Sequence, residues 1–287
     1  MKIAVLADIH ANLAALEAVA ADVDAWRPDR VLVAGDVVNR GPQPADCVAF
    51  VRNRETTAGW GVLKGNHEDF VLSHLAEDGS QSGPGFEIRR HSLWTFNKLR
   101  DEAPWMAALP DELTVTLPAG PRLPQQTLRA VHASMLGNRR GIYPRQSDEE
   151  LRRLIAPPPS VLVVGHTHRP LIRSVDGTLV INVGSVGLPF DGEWRPCYAR
   201  LTLQDSGWRV SLVRVPYDRG LTDRLFSESG FLAGGGAMTR IVLAELRTAR
   251  SLTYDWAVSY QDAVLQGELG LDASISRYLA EQGLDGI

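Results

Sequence analysis

The sequence predicts an α/β protein, a four-layer α/β/β/α sandwich carrying a helical appendage at its carboxy-terminal end. Three features of the chain lead there. Short aliphatic runs alternate with segments of helical period through the first half. Aliphatic runs continue in the second half, but more tightly spaced and with turn residues between them. After Pro216 the pattern is helical again. With 287 residues, 44% of them hydrophobic and 22% charged, the chain can hold one large domain or two small ones and lies near the globular average, which excludes a disordered or fibrous protein.

The elements follow in order. Ile3–Ala7 reads as a buried strand, and Leu13, Leu16, Val19, Ala20 and Val23 recur at helical spacing behind Asn12, a good N-cap. Val31–Ala34 is the next strand, followed by a helix over Pro44–Arg54 and a third run, Gly61–Leu63. Strands separated by amphipathic helices indicate βαβ units and a mostly parallel sheet. Glu77–Gly85 is a Gly/Ser-rich loop, and Ile88–Met106 reads as a helical insertion whose Trp94, Phe96 and Trp105 fit either core packing or the mouth of a site. Leu128–Val131, Val161–Val164, Leu179–Asn182, Tyr198–Leu203 and Val210–Val215 are joined by turns such as Asp176-Gly177 and Asp205-Ser206-Gly207, which predicts antiparallel pairing and hairpins. The remainder is helical with a break at Gly234-Gly235-Gly236. The expected organisation is one domain over 1–215 with an insertion at about 77–106, and a helical appendage over 216–287.

Lys and Arg number 30 against 34 Asp and Glu, a net charge of −4, so no dedicated nucleic-acid binding is expected. The apolar run before Asp8 is too short for a signal peptide, and no window approaches the ~18 apolar residues of a membrane span. The expectation is a cytoplasmic protein with no membrane partner; the sequence specifies no oligomeric state. The two cysteines, Cys47 and Cys197, suit a reducing compartment and read as core thiols.

The chemistry lies where metal-binding side chains follow the strands. Asp8-Ile9-His10 follows the first, Gly35-Asp36 the second, Gly65-Asn66-His67-Glu68 the third, His132 follows Leu128–Val131, and Gly165-His166-Thr167-His168 follows Val161–Val164. The carboxyl ends of strands in an open α/β sheet face one crevice, so these residues converge there. In extended chain, positions i and i+2 point the same way, which would aim Asp8 with His10 and His166 with His168 at one site. The glycines at 35, 65 and 165 allow tight turns. Five of the seven histidines occupy these strand ends; His74 and His91 lie outside. Two aspartates, an asparagine and four histidines with no cysteine supply mixed N and O donors, which suits Mn²⁺, Fe or Zn²⁺, and there are enough of them for two divalent metal ions sharing one carboxylate.

The ordered set Asp-x-His, Gly-Asp-x-x-Asn-Arg-Gly, Gly-Asn-His-Glu, His132 and Gly-His-Thr-His resembles the calcineurin-like metallophosphoesterase superfamily over residues 1 to about 215. Asn182-Val183-Gly184-Ser185-Val186-Gly187, with Asp191-Gly192, is similar to a segment of its small bacterial and archaeal phosphodiesterase branch. The resemblance implies one metal held by Asp8, His10, Asp36 and His168, and a second held by Asp36, Asn66, His132 and His166. Such a pair activates a bridging hydroxide for in-line attack on phosphorus. It further implies that His67 protonates the leaving oxygen and that Arg40 binds a phosphate oxygen.

Where the superfamily's phosphoprotein phosphatases carry an aspartate that orients the catalytic histidine, this chain has Asn39, an amide that can hold the ring but not stabilise its cation. That favours a small phosphorylated substrate, a phosphodiester or phosphomonoester such as a nucleotide, over a phosphoprotein. A dinucleoside polyphosphate hydrolase or a protein phosphatase is the alternative within the enzymes. A non-catalytic binding scaffold is the alternative outside them, and it would lack ligands that are all present here. Glu68 reads as structural, and Arg139-Arg140 as an exposed charge pair. Ser134 and Ser185 lie near ligands without the partners of a serine hydrolase.

Overall fold

The computed structural model describes residues 1–76, 82–117, 119 and 123–286. The aliphatic run at the start forms β1 (Lys2–Leu6). Asn12 then caps α1 (Leu13–Trp26) by accepting the Ala15 N–H at 3.2 Å. β2 (Arg30–Ala34), α2 (Pro44–Ala58) and β3 (Gly61–Leu63) complete two βαβ units, with β1, β2 and β3 parallel. α3 (Asn66–Leu72) runs into a 3₁₀ turn at Ser73–Ala76. α4 (Pro84–Leu99) and, after a second 3₁₀ turn, α5 (Ala103–Ala108) follow.

The second half supplies β4 (Glu112–Leu117), β5 (Gln126–Val131), α6 (Asp148–Leu154), β6 (Val161–Val164), β7 (Leu171–Val175) and β8 (Thr178–Asn182). β9 (Cys197–Gln204) and β10 (Gly207–Arg214) return to the first sheet. Among the described residues there are two mixed five-stranded sheets, ordered β10-β9-β1-β2-β3 and β4-β5-β6-β8-β7. Ile3, Val5 and Ala7 point into the core between the sheets with Val161, Val163 and Ile181, while Ala4 and Leu6 pack under α1 and α2. Because both faces are covered, the strands read as continuous aliphatic runs. Leu162, Val164 and Val180 pack on the outside with Leu151 and Leu154 of α6, the fourth layer of the expected α/β/β/α sandwich.

Three expectations change. Antiparallel pairing holds for β7 with β8 and β9 with β10, but β5, β6 and β8 are parallel to one another. The link from β5 to β6 carries α6, which gives it the length of a crossover, and β7 folds back on the outer edge so that β8 re-enters beside β6. β4 and β7 were not anticipated. The expected loop over 77–85 falls partly on residues 77–81, which lie outside the described residues; α4 then begins at Pro84, before the predicted Ile88.

The aromatic residues of the insertion are packing residues. Phe96 is buried, the Trp105 indole donates to Glu55 at 2.9 Å, and Trp94 lies against Phe231 with ring centroids 4.9 Å apart. Phe231 belongs to the carboxy-terminal helices α7 (Arg219–Glu228), α8 (Phe231–Gly234), α9 (Met238–Thr248), α10 (Thr253–Leu265) and α11 (Leu271–Glu281), with the glycine break falling between α8 and α9. Met238, Ile241, Trp256, Ile275 and Leu279 form a core among these helices, and Phe226, Phe231 and Val242 join Leu188 and Phe190 of the sandwich. Cys47 and Cys197 are free and buried. No helix among the described residues is long and apolar enough to cross a membrane.

Candidate metal centre

Each candidate ligand sits just past the end of a strand, and at five of the seven the backbone turns left-handed. Asp8, His10, Asp36, His166 and His168 all have φ between 47° and 66°, and so do Ala11, Asn39 and Arg40 beside them. These eight make up most of the non-glycine residues with positive φ among those described. Such conformations are costly for L-residues and persist where the surroundings over-determine them. Asp8 with His10, and His166 with His168, are therefore brought together by left-handed turns and not, as the i, i+2 spacing suggested, by extended chain.

The glycines do different jobs from one another. Gly35 has φ +84°. Gly65 has ordinary φ, but a Cβ there would lie 2.1 Å from Asp36 Oδ1, so it is required for close approach. The turns are pinned by Glu68, which is wholly buried. Its carboxylate accepts the N–H groups of Gly65 (2.7 Å), Asp36 (3.0 Å), Val37 (2.8 Å) and Val38 (3.3 Å). Burial and the charge of Asp36 push its carboxyl up to about 7. On the other sheet, the Asn182 amide donates to Gly165 O and Thr167 Oγ1, both at 2.8 Å. Ser185 Oγ donates to Asp8 O at 2.7 Å and accepts the Leu188 N–H at 2.8 Å. Ser185 is a brace and not a nucleophile.

The side chains converge in two overlapping groups, Asp8, His10, Asp36 and His168 in one, and Asp36, His132 and His166 in the other, with ligand atoms in each within 4.8 Å of one another. Asn66 Oδ1 joins the second group, 2.9 Å from His132 Nε2 and 2.8 Å from His166 Nδ1. Asp36 belongs to both. Its Oδ1 accepts the His67 N–H at 2.8 Å, while Oδ2 faces His132 Nε2 at 3.3 Å and His10 Nε2 at 3.7 Å. All seven candidate ligands therefore meet in one place.

The chemistry of these atoms fits cations. His132 Nδ1 donates to Ala34 O and His168 Nδ1 donates to Leu188 O, so in the neutral rings both Nε2 atoms are bare acceptors. His132 Nε2 faces the oxygens of Asn66 and Asp36, and His168 Nε2 faces His10 Nε2 at 3.1 Å and Asp8 Oδ1 at 3.4 Å. Asp8 Oδ1 and His10 Nδ1 are buried without a hydrogen-bond partner. Acceptors aimed at acceptors in a buried site call for positive charge between them. Without an ion, protons supply it: burial alone would lower the His132 pKa, but Asp36 and Asp8 outweigh burial and push it up to about 10. Burial would likewise raise Asp36, yet His132 and His67 hold its carboxyl well below the usual range. His166 drops to about 4 through burial and the neighbouring His132, and burial with the charge of His168 holds His10 well below its usual value.

His67 stands beside the ligands, its ring 4.9 Å from that of His10 and edge-on to it. Asn39 Oδ1 accepts the Arg40 N–H at 2.9 Å, which leaves the Asn39 NH₂ to face His67 Nδ1 at 2.9 Å. A ring that accepts at Nδ1 carries its proton on Nε2. Burial holds the His67 pKa well below its usual value. Arg40 is ion-paired with Glu245 of α9 and donates to Thr253 Oγ1 of α10 at 2.8 Å. Glu245 is fully buried and also accepts the N–H groups of Leu252 and Thr253. A cavity of about 540 Å³ opens on Asn39, Arg40 and His67. A second, of about 640 Å³, is lined by His166 and Arg40.

Glu245 escaped sequence reasoning, although one signal was there: in Ile241-Val242-Leu243-Ala244-Glu245-Leu246 the glutamate falls on the apolar, buried side of the helix. Arg139 and Arg140 are exposed, Arg139 lying over Phe70.

A profile of the calcineurin-like phosphoesterase superfamily domain matches residues 1–206. An uncharacterized protein of Methanocaldococcus jannaschii is 27% identical over 232 residues, 75% of this chain and 88% of its own length. A metallophosphoesterase from Sphaerobacter thermophilus has a similar structure, with TM-score 0.66 and 27% identity, covering 87% of this chain and 99% of that one. A hypothetical protein from Pyrococcus horikoshii OT3 shares the fold with TM-score 0.71 and 19% identity, at the same coverage. At 87% of the chain, both structural likenesses run past residue 206 into the carboxy-terminal helices.

Proposed function

The chain belongs to the calcineurin-like phosphoesterase superfamily, and from that premise we propose that it hydrolyses small phosphodiesters or phosphomonoesters with two divalent metal ions. The observation that carries this reading is the pair of buried ligand groups sharing Asp36. Asp8, His10, Asp36 and His168 would hold one ion; Asp36, Asn66, His132 and His166 the other. The N and O donor set, free of thiolate, suits manganese, with iron or zinc the other choices. When bound, such ions make water acidic enough to act as a nucleophile near neutral pH and offset the charge on the phosphoryl oxygens.

The chain's own residues do the rest. His67 carries a proton on Nε2 and gives it to the leaving oxygen, while Asn39 fixes the ring and its tautomer through Nδ1. Arg40, oriented by Glu245 and Thr253, meets a phosphate oxygen at the cleft. α4, α9 and α10 enclose the approach to His67, which favours a small substrate over a phosphoprotein. A non-catalytic scaffold is disfavoured because every ligand position is filled. We assign residues 1–215, with the insertion at about 77–106, to the catalytic domain and 216–287 to an appendage that completes the cleft, in a protein of the cytoplasm.

The test compares metal-stripped with Mn²⁺-reloaded protein on p-nitrophenyl phosphate and bis-p-nitrophenyl phosphate. Hydrolysis is expected only after reloading; inactivity toward both substrates with metal present sinks the reading.

A further inference from the structure

We propose that the cavity between α4, α9 and α10 is a leaving-group pocket that takes an uncharged, carbon-rich substituent, aryl or branched alkyl, on the phosphate ester. The inference rests on the phosphoesterase reading above and narrows its substrate class.

His67 lines the 540 Å³ cavity and His166 the 640 Å³ one, while Arg40, Thr253 and Ala257 line both and so stand between them. A phosphate at Arg40 therefore lies at the junction. Hydrolysis joins a water oxygen to phosphorus, breaks the ester P–O bond and delivers a proton to the departing oxygen, releasing an alcohol or phenol and a phosphate. The departing oxygen must be within reach of His67, so the departing group extends into the cavity that His67 lines.

Most of the surface lining that cavity is carbon, supplied by Ile88 from α4, Met238 and Val242 from α9, and Trp256 and Leu265 from α10, with Arg89, His91 and Gln261 as polar side chains among them. Several polar groups nearby are already engaged. Trp256 Nε1 donates to Ser274 Oγ at 3.1 Å, Thr253 Oγ1 accepts from Arg40 at 2.8 Å, and Ser92 Oγ donates to Arg89 O at 2.8 Å. Polar functions on a ligand would lose water there, whereas an apolar group gains by leaving it. The other cavity presents Tyr143, Arg169 and Asp255, a polar setting for the substituent that stays on phosphorus. A volume of 540 Å³ falls within the roughly 300–1,000 Å³ of small-molecule sites and far exceeds the needs of a phosphate alone.

The experiment is a series of non-hydrolysable phosphonates titrated calorimetrically into the Mn²⁺-loaded full chain: methyl, butyl, phenyl, naphthyl and a nucleoside phosphonate. Affinity is expected to rise from methyl to naphthyl, by up to about fourfold for each carbon fully buried, with the nucleoside weaker than the naphthyl compound. Val242→Phe, which narrows the cavity, should bring the methyl and naphthyl affinities together; the wild-type series decides the matter even if this variant folds poorly. Affinities that stay flat along the series, or a nucleoside that binds best, overturn the pocket assignment while leaving the phosphoesterase reading standing. Failure of methylphosphonate to bind, together with no hydrolysis of p-nitrophenyl phosphate, defeats the phosphoesterase reading itself.

Discussion

The guanidinium of Arg40 is ion-paired to the carboxylate of Glu245, a residue 205 positions downstream and fully buried. Breaking a buried pair by removing one partner strands the other charge. Glu245→Gln is therefore expected to cost about 3 kcal/mol of stability in urea denaturation and to reduce turnover because Arg40 is no longer oriented. Replacing both residues by Met removes the stranded charge but also the acceptor of the Leu252 and Thr253 N–H groups, so it should recover only part of the stability and none of the turnover. A stability loss below about 1 kcal/mol would instead class the pair with exposed ion pairs.

Gly65 lies against Asp36, the carboxylate common to both candidate ligand groups: a methyl group there would sit 2.1 Å from Asp36 Oδ1. Gly65→Ala should keep the far-UV circular dichroism of the native protein while Mn²⁺ affinity falls by about 10- to 100-fold, the usual scale for disturbing a ligand's supports. Unchanged affinity by calorimetry would show that Asp36 does not contribute through that oxygen's position.

For His67→Ala, metals are expected to stay bound while turnover drops by about 10²- to 10⁴-fold; loss of metal would make His67 a ligand. Asn39→Asp tests the tautomer. A carboxylate accepts from Nδ1–H where the amide donates to Nδ1, and its charge favours the imidazolium. The limb of the pH–rate profile that reports His67 should move up by on the order of one pH unit. An unmoved limb would separate Asn39 from proton transfer.

Metal binding should release protons. In the metal-free protein His132 titrates at about 10, so its ring is charged at pH 7, and an ion taking Nε2 must displace that proton. Affinity should therefore rise with pH, by about tenfold per unit for a one-proton exchange, and level off as the pH passes that pKa. Calorimetry in buffers of different ionisation enthalpy counts the protons; affinity that ignores pH would count against His132 as a ligand.

The sandwich and the meeting of the candidate ligands were legible because burial on both faces makes strands aliphatic and because strand ends share a crevice. β4 was legible too, since Leu113, Val115 and Leu117 alternate with Glu112, Thr114 and Thr116, but its polar half masked it beside the continuous runs. What the sequence did not show has two physical origins. Aspartate and histidine enter the left-handed region more readily than most L-residues but do not require it, so the turns that aim Asp8 with His10 were hidden behind an extended-chain rule. The Arg40–Glu245 pair depends on where α9 lands, which no local pattern encodes.

The ligand groups have a mechanical consequence. Asp8, His10, Asp36 and Asn66 leave the ends of β1, β2 and β3, whereas His132, His166 and His168 leave β5 and β6 of the opposite sheet. An ion held by either group is thus a rivet through both halves of the sandwich. Because it fastens only the folded chain, a free concentration of 100 times its dissociation constant adds about 2.7 kcal/mol to the work of prying the sheets apart. The durability of this protein then becomes a readout of the ion supply around it.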